Sequence, residues 1–276
     1  MKPSPRARRS AARCVAKYLA IGRTGFATAV AYRGEYLLRS VMLMLILYVF
    51  TVLWRTVYAA GGHEVVEGFA LRDMIWYLVI TESIVFSRPR LAGRIDTEVK
   101  AGTLAYTLVR PYSYVMFHYA QTLGEALARG LMSFLVGGAL VTLLVGPPAF
   151  NFGNVGFFLV ALLLGATIDF LLSFAVGLLA FWIEETSPIA FIQDRLLMLL
   201  GGMMLPLEIF PAFLRTIAGW LPLGMIIYAP ARLLVGADTL RPWTVLATQA
   251  TWLVVTGVAS TWLFRAGVKR VNVHGG

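Results

Sequence analysis

Apolar and polar positions fall along this chain in long blocks, and the blocks predict its elements. A helix needs about 20 apolar residues to cross the hydrocarbon core of a bilayer. Six runs approach that: 36–59, 69–86, one beginning after Tyr114, 155–182, 189–205 and 243–264. The third run carries His118, Gln121, Glu125 and Arg129 in its first half, so its purely apolar part is 130–145, and Gly146-Pro147-Pro148 ends it. Trp54 and Tyr58 stand where aromatic rings would anchor the far end of the first run at the interface. Short turns separate the runs at 61–64, at 151–154 and at Glu184-Glu185-Thr186-Ser187-Pro188. Residues 206–242 place five prolines among interrupted apolar patches, which predicts short helices packed on the outer surface, not a further span.

Two segments are patterned differently. Ahead of the first run, Val15, Tyr18, Leu19, Gly22 and Phe26 follow helical spacing, and residues 1–39 hold nine of the 24 Lys and Arg against one acid, Glu35. This predicts a basic amphipathic helix over about 1–35, lying along the inner membrane face. Arg13, Lys17 and Arg23 leave no continuous apolar core for a signal peptide; the Arg- and Ala-rich start also has the character of an organellar transit peptide, a lesser reading. The second segment is 91–114. Ile95, Val99, Leu104 and Leu108 recur at near-helical spacing, with Arg94, Asp96, Glu98 and Lys100 between them, so one side is expected to be apolar and the other wet. Gly102 interrupts it, and Pro111 biases Arg110 out of helical geometry before the third span. Spacing alone leaves open that the segment is a plain connector.

Composition settles the solvent. The chain has 276 residues, 59% hydrophobic and only 14% charged, where soluble domains carry roughly 25% charged. With a mean hydropathy of +0.75 it is an all-α polytopic membrane protein with six expected spans over 36–264 and little room for a soluble domain. The single cysteine, Cys14, excludes an intrachain disulfide and a Cys-rich metal site. The net charge of +10 is not gathered into one basic domain, so nucleic acid is not the expected partner; membrane orientation accounts for it better. One side receives the basic start, Arg88, Arg90, Arg94, Lys100, Arg110 and the basic tail 265–276. The other receives Arg72, Arg215, Arg232 and Arg241. The bias puts both termini in the cytoplasm, with 91–114 cytoplasmic and 206–242 outside.

The four lysines follow Met1, Ala16, Val99 and Val268, so a phosphate-cradling Gly-Lys loop is impossible here. His63, His118 and His274 lie far apart without zinc-protease spacing, and a Gly-x-Ser-x-Gly elbow is absent. No cofactor or metal is expected on this chain. Asp169 lies midway along the fourth run, where an unpaired carboxylate costs roughly 2.5–3.5 kcal/mol and should face protein or a wet cavity. Glu82, Asp194 and Arg195 lie nearer the cytoplasmic ends, and Arg195 or Arg129 is a candidate partner for Asp169. Glu125 and Arg129 stand at i, i+4 with the acid first, the favourable order for an ion pair. These charges serve either as glue between helices or as a substrate-facing polar site. Met198, Met203, Met204, Phe210 and Phe213 either line an adaptable exit or are ordinary core and lipid-facing residues.

At this point the residues resemble a family. Glu98 to Pro111, Glu-Val-Lys-Ala-Gly-Thr-Leu-Ala-Tyr-Thr-Leu-Val-Arg-Pro, is similar to the acid-x-x-x-Gly-Thr-Leu then Leu-x-Arg-Pro pattern of type-2 ATP-binding-cassette (ABC) exporter permeases. Pro206-Leu207-Glu208-Ile209-Phe210-Pro211, with Trp220-Leu221-Pro222, Pro230 and Gly236, resembles the outer segment between the last two spans of that family. The resemblance implies a membrane subunit of the bacterial inner membrane that joins a second permease chain, identical or related, and two separate ATPase subunits, which hold the ATP and Mg. It makes residues 93–103 a coupling helix docked on the ATPase, with Glu98, Gly102, Thr103 and Leu104 at or beside the contact and Arg110-Pro111 as a rigid corner. Drugs, peptides, lipids and polysaccharides are all permitted substrates. Two other classes stay in play: a membrane-embedded enzyme using Asp169 and Glu82, and a non-transporting scaffold.

Overall fold

The computed structural model describes residues 5–31, 33–62, 65–110, 112–235 and 241–274. Helix α1 covers Pro5–Ala31 and α2 Arg33–Gly61. Two-residue strands, β1 Val65–Val66 and β2 Phe69–Ala70, pair antiparallel with Val65 opposite Ala70. Then follow α3 Leu71–Ser87, α4 Leu91–Lys100, α5 Thr103–Leu108, α6 Tyr114–Val145 and α7 Val155–Leu178. After α8 Ser187–Leu200 come three short helices, α9 Ala212–Gly219, α10 Leu223–Ile226 and α11 Tyr228–Leu234, before the long α12 Pro242–His274. His63, Glu64, Pro111 and Gly236 lie outside the described residues.

The protein is an all-α polytopic membrane protein. Leu38–Gly61, Tyr114–Val145 and Phe152–Phe181 are long and apolar enough to cross a membrane. In α2 the buried residues Ser40, Leu43, Leu47, Thr51, Trp54 and Tyr58 recur every three or four positions, while Leu38, Leu45, Val49 and Leu53 are exposed, as a helix packed on one side and wetted by lipid on the other requires. Helix α3 is the centre: Met74 to Ser83 are buried without interruption, with α2, α6 and α11 packed round it. Its 17 residues span about 26 Å at 1.5 Å per residue. Helix α12 packs along α7; its buried Gln249 donates to the carbonyls of Ala161 at 2.9 Å and Met225 at 2.8 Å.

Three expectations are corrected. Trp54 and Tyr58 do not form an interfacial belt: both are buried, packed edge to face at 6.0 Å, and the Tyr58 hydroxyl donates to the Phe69 carbonyl at 2.7 Å. The phenol needs a partner once it is buried, and the hairpin supplies one. The fifth run does not continue to 205; α8 stops at Leu200 after 14 residues, about 21 Å, and Gly202 with φ of 73° turns the chain back. Residues 206–242 are not wholly superficial. Leu223 to Val235 are mostly buried, with α10 and α11 packed on α7, and the Tyr228 N–H donates to the Gly201 carbonyl at 3.1 Å, so α11 begins where α8 ends. Broken helix at membrane depth is tolerated when protein covers its polar backbone. Helix α9 stays on the surface, with Phe213 and Ile217 exposed.

Candidate functional site

One end of the bundle collects Arg88, Arg94, Asp96, Glu98, Lys100 and Arg110, and α4 lies across it. Its apolar face is consumed by the chain itself: Leu91 and Ile95, with Leu104 of α5, pack against Tyr114, Phe170, Phe174 and Leu178. The ends of α6 and α12 meet here too, since Tyr114 stacks on Phe264 at 5.8 Å. Gly102, at φ of 68°, occupies the left-handed region between α4 and α5, where a side chain would be strained.

Most of the charges of α4 are also engaged by the bundle: Asp96 is buried and Arg94 and Glu98 are half-buried, while Lys100 stays exposed on the wet side. Arg94 Nη2 donates to both carboxylate oxygens of Glu125, at 3.1 and 3.0 Å, and Glu125 is further held by Gln121 at 3.0 Å and Arg129 at 3.6 Å. The hydroxyl of Tyr114 donates to Glu98 Oε2 at 2.7 Å, and Nε2 of the buried His118 lies 3.2 Å from the same oxygen. Asp96, also buried, pairs with Lys100 at 2.8 Å and accepts the Thr186 hydroxyl at 2.8 Å, tying α4 to the turn before α8. Burial alone would raise both carboxyls. For Asp96 the bonds from Lys100 and Thr186 outweigh it, and for Glu98 those from His118 and Tyr114, so both are held below the ordinary carboxylate range. Left outward are Gly93, Thr97, Lys100, Ala101, Gly102, Thr103, Tyr106, Val109 and Arg110.

A second cluster joins three elements just behind α4. Arg88, directly after α3, donates its Nε–H to Asp169 Oδ2 of α7 at 2.9 Å, with Nη2 in ion-pair contact with Oδ1 at 2.8 Å, and reaches Asp194 of α8 at 2.9 Å. This corrects the expected partner of Asp169: Arg129 serves Glu125, and Arg195 lies over the Phe191 ring at 4.7 Å and donates to Met198 Sδ at 3.4 Å. Glu82 joins neither cluster; it is 1% exposed and its Oε1 has no hydrogen-bond partner among the described residues.

The remaining residues singled out in the sequence sort clearly. Leu104 is buried and Glu98 half-buried, whereas Gly102, Thr103 and Arg110 are exposed, Arg110 donating to the Tyr112 hydroxyl at 2.9 Å. At the far end Glu208 holds Arg232 at 2.9 Å and Tyr228 at 2.8 Å, while the Arg232 guanidinium also lies 4.2 Å over Phe69. Pro206 and Phe210 are buried there and Pro211 is exposed. Met203 is core, but Met204 and Phe213 are exposed, so these side chains do not line one surface. Sequence reasoning missed Arg88, Arg94, Tyr114, His118, Thr186 and Arg232 as partners. One signal was available: Tyr114, His118, Gln121, Glu125 and Arg129 form a polar stripe at helical spacing, and Arg94 and Glu98 form a matching i, i+4 pair.

Fold and site together define a polytopic helical membrane protein whose short amphipathic helix is braced across one charged end. The family model for ABC-2 family transporter protein matches residues 41–275. The chain belongs to that family, and so is a permease subunit of an ABC transporter, a class that associates with ABC ATPases. Helix α1 lies ahead of the matched residues. No curated protein matches the sequence.

Proposed function

We propose that the chain is the membrane-spanning subunit of an ATP-driven exporter of the bacterial inner membrane. It crosses six times, by α2, α3, α6, α7, α8 and α12, with both termini in the cytoplasm, and pairs with a second permease chain, identical or related. Two separate ATPase subunits bind the ATP and Mg, and α4 with α5 is the segment they push. The observation that supports this is the bracing of α4. A load on its outer face, at Gly93, Thr97 and Lys100, passes to α6 through Arg94–Glu125 and Glu98–Tyr114, and to the turn before α8 through Asp96–Thr186. Glu98 and Leu104 then act as supports of the lever, and the exposed Gly102 and Thr103 belong to its contact face. A membrane-embedded enzyme draws less support, because Asp169 is held in an ion pair and a hydrogen bond with Arg88.

The test uses the permease co-purified with its ATPase. Arg94→Ala and Glu98→Gln are expected to leave the assembly intact but to reduce, about tenfold, the change in ATP turnover that the permease imposes on its partner, as loss of charged bonds of about 1.5–3 kcal/mol predicts. Unchanged coupling in both variants, with α4 still folded, overturns the assignment.

A further inference from the structure

Helix α1 carries six basic residues, Arg6, Arg8, Arg9, Arg13, Lys17 and Arg23, and no acid. Its rotation is fixed by α6. A Cβ on Gly124 would collide with the Gly22 carbonyl, and one on Gly25 would come within 2.6 Å of the Gln121 carbonyl, so the two backbones touch. Tyr18 closes the contact by accepting the Ser113 N–H at 3.1 Å. The contact involves Ser113 to Gly124, the polar first half of α6, which sets α1 beside the charged end of the bundle.

With that face locked, the others follow from helical geometry. Val15, 59% exposed, and Leu19, 63% exposed, share one flank with the half-buried Phe26. Arg13 and Lys17 lie on the roughly opposite flank, and Arg23 stands between the two; all three are exposed, and Arg23 is within reach of the polar layer by extending its stem. An apolar flank facing one way and a basic flank facing the other is the arrangement of a helix lying in an interface.

We propose that α1 is a binding site for anionic phospholipid headgroups, seated on Arg13, Lys17 and Arg23 while Val15 and Leu19 enter the acyl region. The occupant is set by charge complementarity: each Lys or Arg beside an anionic leaflet adds attraction, and α1 presents no acid to oppose it. That this leaflet is the cytoplasmic one rests on the orientation proposed above; the lipid preference does not.

The experiment reconstitutes the full-length protein in nanodiscs of phosphatidylcholine containing a minority of phosphatidylglycerol, re-extracts it, and quantifies the lipid retained. The wild type is expected to retain phosphatidylglycerol enriched at least about threefold over the bulk mixture. Arg13→Gln, Lys17→Gln and Arg23→Gln together bring the ratio to bulk, and Arg13→Lys, Lys17→Arg and Arg23→Lys preserve it. A bulk ratio in the wild type, or enrichment surviving the glutamine substitutions, overturns the proposal. Should the glutamine variant fail to fold, spin labels at Val15→Cys and Ala20→Cys in a Cys14→Ser background decide it: the first reports acyl depth and the second water, and equal depths overturn it. No ATPase is present, so failure here leaves the exporter reading standing.

Discussion

At the residue scale, the charged end around α4 is organised by carboxylates that exchange water for several fixed donors. Asp169 is 13% exposed at its side chain and is paired with Arg88, whereas Asp194, paired with the same guanidinium, is 54% exposed. Removing the cation strands the buried carboxylate. Arg88→Ala is therefore expected to cost about 3–5 kcal/mol, while Asp194→Asn costs at most about 1 kcal/mol because water already screens that pair; thermal melting of the purified protein ranks them, and equal losses would refute the hierarchy. Glu98 gives a pH prediction. Its carboxyl ordinarily titrates near 4.5 and is held lower in the folded protein. The stability this contributes is present in full above the unfolded value and is lost as pH falls through the folded one. The melting temperature of the wild type should fall on acidification below about pH 4.5, and Glu98→Gln should flatten part of that fall while starting lower at neutral pH.

At the element scale, the contact between α1 and α6 depends on the absence of side chains at Gly22 and Gly124. Gly124→Leu is expected to push the helices apart at about 1–3 kcal/mol. Limited proteolysis should then release α1 while α6 stays protected, and unchanged cleavage would show that the crossing is not held by that contact. The elements differ in how far the sequence revealed them. The apolar runs of α2 and α7 were legible because lipid solvates a helix by composition alone, and the break at Gly102 because the left-handed backbone favours glycine. The inward turn of α10 and α11 was not legible. Prolines report that a span is broken, but burial of the fragments depends on α7 and α8 standing beside them, which no local pattern encodes. Arg88 was hidden for a similar reason: its partners lie 81 and 106 positions away. Trp54 and Tyr58 misled because an aromatic pair at a helix end has the same spacing whether it faces lipid or the Phe69 carbonyl.

At the scale of the whole molecule, the two ends are chemically unlike, and that difference predicts a sidedness. One end gathers Arg88, Arg90, Arg94, Lys100 and Arg110 around the braced helix α4; the other is closed by the half-buried Glu208 paired with the buried Arg232, and by the surface helix α9. Because short-loop Lys and Arg set orientation, the lever end should stay in the cytoplasm. Tyr106, in α5, is 77% exposed and Trp220, after α9, is 79% exposed, so each can carry a reporter without disturbing packing. In a Cys14→Ser background, a membrane-impermeant maleimide applied to intact cells with a permeable outer envelope should label Trp220→Cys and spare Tyr106→Cys until the inner membrane is opened. Labelling of Tyr106→Cys from outside would put the lever on the wrong side for any cytoplasmic ATPase. The braces of α4 would then have to serve some purpose other than transmitting ATP turnover.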